Sequence, residues 1–316
     1  MTSPAGPRIE VPEALVSWHR KYFGEKGRAW VDAVPDLAAG LLDRWQLRPD
    51  GAPTCGATAL VLPVVRADAT PAVLKLQPVT DHTVGEPDAL RAWNGNGAVR
   101  LLDHDPESGS MLLERLDADR PLASVSDDLA ALQILSELLA RLSAVPAPAG
   151  IRRLSDFGAD LLDRVPRALT LVRDPSQKGL IRACASALQE VLPEAGDRLV
   201  HEDLHFDNIL APHSADQREP WLAIDPNPVA GDPGFALLAA LHNRWEEAVT
   251  TGDVPRAIRR RFHLMTDILG LDRKRATAWT LARILQNALW DVEHDDTMWH
   301  TESDRAIAQT LLDTAG

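Results

Sequence analysis

Cysteine is nearly absent from this chain. Two occur in 316 residues, Cys55 and Cys184, far apart and without ligand-like Cys or His spacing around either. That excludes a disulfide framework and a cysteine-rich metal site, and leaves two reduced thiols in a cytoplasmic protein as the expectation. Long apolar runs are missing too. No uninterrupted stretch approaches the length that spans a bilayer, so no membrane partner is expected. Met1 to Glu10 lacks a basic region followed by an apolar run, so no secretory signal is expected either. Positive charge is in deficit. A net charge of −13 argues against nucleic acid as a partner and suits a cationic small molecule, although solubility alone would also account for it. Lysine is scarce: Lys21, Lys26, Lys75, Lys178 and Lys274 are the only ones among 33 basic residues. There is no G-x-G-x-x-G loop, internal repeat or low-complexity tract.

What is present is enough for a sizeable core, since 45% of residues are apolar. The length suits one two-lobed enzyme or two modest domains. Pro12 to Leu47 reads as two helices, with Pro35 suited to a first turn and Leu37, Leu41, Leu42 and Trp45 forming a stripe. After the small-residue turn 51–58, strand-like runs cover 59–66, 72–77, 98–102 and 110–114, and a short helix opens at Glu86-Pro87. From Asp117 onward helical patterns dominate. They include the leucine repeat 129–142 and further runs at 158–172, 178–192, 235–249, 256–269, 274–293 and 301–313. The expectation is an α+β fold: an N-terminal lobe over 1–116 built on an antiparallel sheet, and a helical C-terminal lobe over 117–316.

The chemistry concentrates between His201 and Asp225. The run His201-Glu202-Asp203-Leu204-His205-Phe206-Asp207-Asn208 separates Asp203 from Asn208 by five residues, the spacing of the protein-kinase catalytic loop. An apolar strand, Trp221-Leu222-Ala223-Ile224, then delivers Asp225. One base and two oxygen ligands for Mg²⁺ are the minimum for moving a phosphoryl group from ATP to a hydroxyl. Asp203 is the expected base; Asn208 and Asp225 are the expected metal ligands. The same letters spell H-E-x-x-H, a zinc-peptidase motif, but that motif works only on a helix, and Pro212 closes the segment.

Lys75 is the charged member of the apolar strand Ala72-Val-Leu-Lys-Leu-Gln77, placed to reach nucleotide phosphates. Glu86 is its expected ion-pair partner, with Asp88 competing for the role. Glu114-Arg115-Leu116 joins the lobes, and the backbone of Glu114 and Leu116 is expected to meet adenine. Asp291, Glu293, Asp295 and Asp296 crowd the end of a Trp-bearing helix, where carboxylates oppose the helix dipole. They read either as a seat for a cationic substrate or as a solvated acidic tail.

Several stretches together resemble the aminoglycoside and hydroxyurea phosphotransferases, and within them the streptomycin 6-phosphotransferases. They are Val200–Leu210, Trp221–Pro226, Gly231-Asp-Pro-Gly-Phe235, Met111–Leu116, Ala89–Trp93 with Val99–Leu102, and Trp279–Asn287. The resemblance implies a protein-kinase-like fold, ATP as donor, Mg²⁺, and O-phosphorylation of a small hydroxylated antibiotic such as streptomycin; a monomer is expected. It supports the roles given to Asp203, Asn208, Asp225, Lys75 and Glu86. A sugar or cyclitol kinase, or a non-catalytic nucleotide- or antibiotic-binding protein, would be the alternatives. Two positions depart from the family pattern: Ala236 stands where many members carry an acid, and Glu202 precedes the catalytic aspartate.

Overall fold

The computed structural model describes residues 9–213, 218–294 and 301–315. They form two compact units, one of residues up to 95 with 99–116, the other of 96–98 with the residues from 117 onward.

The first unit opens with α1 (Glu13–Arg44), which is two helical segments joined at Gly24. Gly24 has φ 55° and ψ −130°, a conformation that side chains resist. The two segments come so close that a Cβ on Gly27 would sit 2.4 Å from the His19 carbonyl oxygen. Two helices are therefore present, but Pro35 lies in the interior of the second and not in its first turn. Then follow β1 (Arg48–Pro49), β2 (Thr54–Cys55), β3 (Leu60–Val65), β4 (Pro71–Leu76), α2 (Glu86–Trp93), β5 (Leu101–Asp105) and β6 (Ser110–Glu114). The sheet order is β1-β3-β4-β6-β5, with β2 also on β3, and the strand pairs are antiparallel. Alternation along the strands decides which side is apolar. Leu60, Leu62 and Val64 of β3 and Ala72, Leu74 and Leu76 of β4 pack with Val34, Ala38 and Leu41 of α1. Lys75 and Gln77, odd-numbered, point the other way.

The expected strand at 98–102 begins later than its sequence suggests. Ala98 instead makes a parallel bridge with Ala223, and Gly97 O accepts from Ala223 N at 2.9 Å. Residues 96–98 thus belong to the second unit.

That unit begins along β7 (Leu116–Pro121). Its helices are α3 (Asp128–Leu142), α4 (Leu154–Leu171), α5 (Pro175–Val191), α6 (Leu237–Leu241), α7 (Trp245–Thr250), α8 (Val254–Leu269), α9 (Arg273–His294) and α10 (Thr301–Ala315). Asp127 caps α3 by accepting from Leu129 N and Ala130 N. At the centre, Phe235 meets Phe157 of α4 and Trp279 of α9 edge-on, with centroids 6.1 and 6.4 Å apart. Trp279 is fully buried. Burial pushes the thiol of Cys184 on α5 up to about 12. Short strands lie among the helices. β8 (Arg198–His201) pairs with β11 (Pro228–Gly231), and β9 (Ile209–Pro212) pairs with β10 (Leu222–Ala223) and neighbours β7. Among the described residues no helix is long and apolar enough to cross a membrane.

Candidate active site

In the first unit the polar face of β4 meets the start of α2. Lys75 Nζ donates to Glu86 Oε1 at 2.7 Å and Oε2 at 2.8 Å, and Gln77 Nε2 donates to Oε2 at 2.6 Å. Both charged side chains are almost sealed, 6% and 2% exposed. A lysine and a carboxylate buried together supply each other's counter-charge. Asp88, the competitor for this role, is exposed and paired with Arg91 at 2.8 Å. Glu114 is less available than the sequence suggests: its N–H donates to Arg100 O at 3.0 Å, and its Oε1 accepts from Arg100 N at 2.8 Å.

In the second unit, β8 ends at His201 and the chain turns through residues 202–205 into a 3₁₀ turn at Phe206–Asn208. The turn is tied down by named bonds. Asn208 Nδ2 donates to Asp203 O at 3.0 Å, Asn208 N to His205 O at 3.0 Å, and Ile224 N to Asn208 O at 2.9 Å. His201, fully buried, places Nε2 3.0 Å from Ile224 O. Asp225 follows at φ 53°, a left-handed conformation that costs a non-glycine residue about 1 kcal/mol or more and recurs at functional sites. The carboxylate of Asp203 is 39% exposed and makes no hydrogen bond among the described residues, with the imidazole Nε2 of His205 4.0 Å from its Oδ2. His205 Nδ1 lies 3.6 Å from Asp207 Oδ2. His201 is on a strand and His205 in a loop, so the two imidazoles of H-E-x-x-H do not share a helix face.

Burial holds the imidazole of His201 below its ordinary value, and that of His19 likewise, where Nε2 sits 3.0 Å from Thr58 O. Both are therefore neutral in the folded chain near pH 7. The unfolded chain takes up protons below about pH 6.5, so folding loses stability as pH falls from there toward the depressed folded values. The slope is at most about 1.4 kcal/mol per pH unit for each such histidine. Urea midpoints measured at pH 7.5 and 5.5 are expected to fall with acidification, and to fall less in His19→Gln. Equal midpoints at the two pH values would contradict this.

A cavity of about 370 Å³ opens beside the turn, walled by Asp203, His205, His242, Asn243, Arg283 and Asn287 among others. Asn243 Oδ1 accepts from Phe206 N at 3.1 Å, joining this wall to the Phe206–Asn208 turn. His242 and Asn287 converge on the buried carboxylate of Asp304, at 2.6 and 3.0 Å. Of these wall residues beyond Asp203 and His205, only Arg283 and Asn287 fall in a stretch singled out in the sequence, Trp279–Asn287, and neither has a role there. The available signal is Arg283 and Asn287, four apart on a helix otherwise buried through Leu281, Ala282, Ile284 and Leu285.

The acidic cluster at the end of α9 lies partly outside the described residues, which exclude Asp295 and Asp296. Of the others, Asp291 is buried. Glu293 receives Arg164 Nε and Nη2 at 2.9 and 2.7 Å, and this carboxylate raises the guanidinium of Arg164 above its ordinary value. Neither Asp291 nor Glu293 lines the cavity beside Asp203.

The Asp203–Asn208 turn with Asp225 supplies hard oxygen atoms. Asn208 spends its amide nitrogen on Asp203 O, which turns its oxygen to other use, and a carboxylate with an amide oxygen suits Mg²⁺ better than zinc.

Comparison with known proteins gives a consistent result. A family model described as aminoglycoside/hydroxyurea antibiotic resistance kinase matches residues 44–295. The chain is 55% identical over 285 residues to the streptomycin 6-kinase of Streptomyces glaucescens, covering 90% of this chain and 92% of that one. It is 50% identical over 303 residues to the streptomycin 6-kinase of Streptomyces griseus, covering 96% and 97%. Among solved structures it resembles a thermostable mutant of aminoglycoside phosphotransferase APH(4)-Ia in a ternary complex with AMP-PNP and hygromycin B. There the TM-score is 0.58 at 17% identity, over 88% of this chain and 98% of that one, a likeness of fold. The fold is protein-kinase-like.

Proposed function

Because the chain belongs to the aminoglycoside/hydroxyurea antibiotic resistance kinase family, we propose that it transfers the γ-phosphoryl group of ATP to the 6-hydroxyl of streptomycin. The observation that carries the chemistry is Asp203: a carboxylate at the wall of a cavity, with no hydrogen bond among the described residues, on a backbone stitched by Asn208. A hydroxyl placed in that cavity gives its proton to Asp203 as its oxygen bonds to phosphorus, while the bond from phosphorus to the leaving ADP oxygen breaks. Lys75, oriented by Glu86, holds donor phosphate oxygens. Asn208 and Asp225 would hold Mg²⁺, which would supply charge neutralisation at the phosphates. Asn243 keeps the turn in place through Phe206 N, and His242 and Asn287, steadied by Asp304, offer polar contacts to the acceptor.

One observation favours a second reading. The cavity wall includes Arg244 and Arg283, and cations there suit an oxygen-rich neutral acceptor such as a cyclitol or sugar. Arg244 is spent on the backbone oxygens of Ala123, Val125 and Ser126, which reduces its weight. An ATP-consumption screen over streptomycin, other aminoglycosides, hydroxyurea, cyclitols and amino sugars separates the readings. Turnover of streptomycin is expected; turnover of a neutral polyol alone would replace the proposal. Activity is also expected to require Mg²⁺ or Mn²⁺ and to survive a zinc-selective chelator. Loss of activity on removing a tightly bound zinc would overturn the metal assignment.

A further inference from the structure

Glu202, one residue before the catalytic aspartate, is 2% exposed, and no step above uses its charge. Its Oε2 accepts from Arg152 Nη2 at 2.7 Å, and its Oε1 lies 3.4 Å from Arg283 Nη1. Its own N–H donates to Asn227 O at 3.2 Å, so main chain and side chain are both fixed. Each guanidinium also lies over an aromatic ring: Arg152 over Phe157 at 4.6 Å and Arg283 over Phe235 at 5.5 Å. Those two rings meet edge-on in the core already described. A carboxylate held between two stacked guanidiniums cannot swing, because moving it would leave buried charge without its counter-charge. The loop backbone that continues into Asp203 is thereby anchored to α4, to α9 and to the segment before α4.

Arg283 has a second role in the arrangement, since it also walls the cavity that contains Asp203. Its Nη1 is spent on Glu202 and on Gln286 Oε1 at 2.6 Å. Its Nε and Nη2 make no hydrogen bond among the described residues, and a guanidinium offers donors only. It can meet hydroxyl or ether oxygens and it repels cations.

Building on the phosphotransfer proposed above, we propose that Glu202 is a positioning residue. Through Arg152 and Arg283 it fixes the backbone that presents Asp203, and it holds Arg283 so that an uncharged, oxygen-rich edge of the acceptor lies against it. The reacting hydroxyl then belongs to that edge, and the cationic groups of a streptomycin-like acceptor lie away from Arg283.

The test uses the full chain with ATP and streptomycin, and compares Glu202→Gln, Arg152→Gln and Arg283→Gln with the parent, each normalised to its folded fraction. Glu202→Gln keeps the side-chain volume and removes the charge. It is expected to lower kcat about tenfold to a hundredfold, the range for a small misplacement of a catalytic group. It is also expected to raise the KM for streptomycin, with the KM for ATP within about twofold. Arg152→Gln, which does not touch the cavity, is expected to lower kcat alone. Arg283→Gln is expected to lower kcat and raise the streptomycin KM by about tenfold, the loss of a charge-assisted hydrogen bond. Glu202→Gln combined with Arg283→Gln is expected to do little more than the worse single change, as for residues acting through one contact. A clamp serving only stability would lower the folded fraction in all three and leave the normalised constants alike, and that result overturns the inference. So does an active parent whose Glu202→Gln variant keeps kcat and both KM values within about twofold. A parent that phosphorylates no acceptor overturns the functional reading and this inference with it.

Discussion

Replacing Asp203 with alanine is expected to lower phosphoryl transfer by a factor of about 10²–10⁴ while nucleotide affinity stays near that of the parent. The expectation follows from what Asp203 does and does not touch. Its carboxylate makes no hydrogen bond among the described residues, so its removal leaves no buried partner stranded. Its backbone carbonyl, which receives Asn208, survives the substitution, so the turn and the oxygen ligands keep their places. Folding is expected to be little changed because the side chain is 39% exposed. What disappears is the group proposed to take or orient the hydroxyl proton. Asp203→Asn should behave like the alanine variant, since an amide keeps the shape but is a poor proton acceptor. Single-turnover phosphorylation beside a nucleotide-binding isotherm separates the two effects. A variant with parental turnover would remove Asp203 from its assigned role.

The second large effect is expected at the sealed pair in the first unit. Glu86→Ala deprives Lys75 and Gln77 of the carboxylate that receives them at 2.6 to 2.8 Å. Breaking a buried ion pair from one side typically costs about 3–5 kcal/mol, because the remaining charge keeps its desolvation penalty without its counter-charge. Lys75→Ala is expected to cost a similar amount for the mirror-image reason. Changing both, Lys75→Met with Glu86→Gln, removes the stranded charge and leaves an acceptor for Gln77. That double variant is expected to regain most of the stability by urea denaturation, yet to remain unable to transfer phosphate. Recovery of stability with recovery of activity would show that the pair serves the fold and not the nucleotide. If neither single change shifts the denaturation midpoint, the pair is not worth what its burial implies.

The sequence was most legible where a site is built from one continuous run. His201 to Asn208 is such a run, Asp225 follows one short hairpin later, and spacing alone places them together. Lys75 could be read because it is the charged member of an otherwise apolar strand in a chain that seldom uses lysine. The cavity wall was less legible, because Asn243 lies in the turn between α6 and α7 while Arg283 and Asn287 come from α9, and only the last two share a helical spacing. The helix expected at 235–249 fails for the same reason. Leu237, Leu238 and Leu241 continue into Trp245 and Ala248 with plausible helical period, yet the helix breaks at Arg244, φ 49°. The neighbouring Asn243 carboxamide is engaged on Phe206 N, and Arg244 reaches back to three backbone oxygens before α3. Contacts so distant in sequence override a local apolar pattern without leaving a mark in it. The acidic end of α9 shows the converse. Its charge pattern suggested a ligand seat, but the carboxylate of Glu293 is answered by Arg164 from α4, more than a hundred residues earlier.

Each unit also carries its own natural reporter of opening. Lys75 is buried and ion-paired, whereas Lys21, Lys26 and Lys274 are exposed and Lys178 half-exposed. Cys184 is buried with a thiol too basic to react, and Cys55 is half-exposed. A pulse of amine-directed reagent should therefore modify Lys75 only when the first unit opens, with the outer lysines recording reagent dose. A thiol-directed pulse should modify Cys184 only when the second opens, with Cys55 as its reference. Peptide mass mapping across a denaturant series would then yield two separate opening free energies from one unlabelled sample.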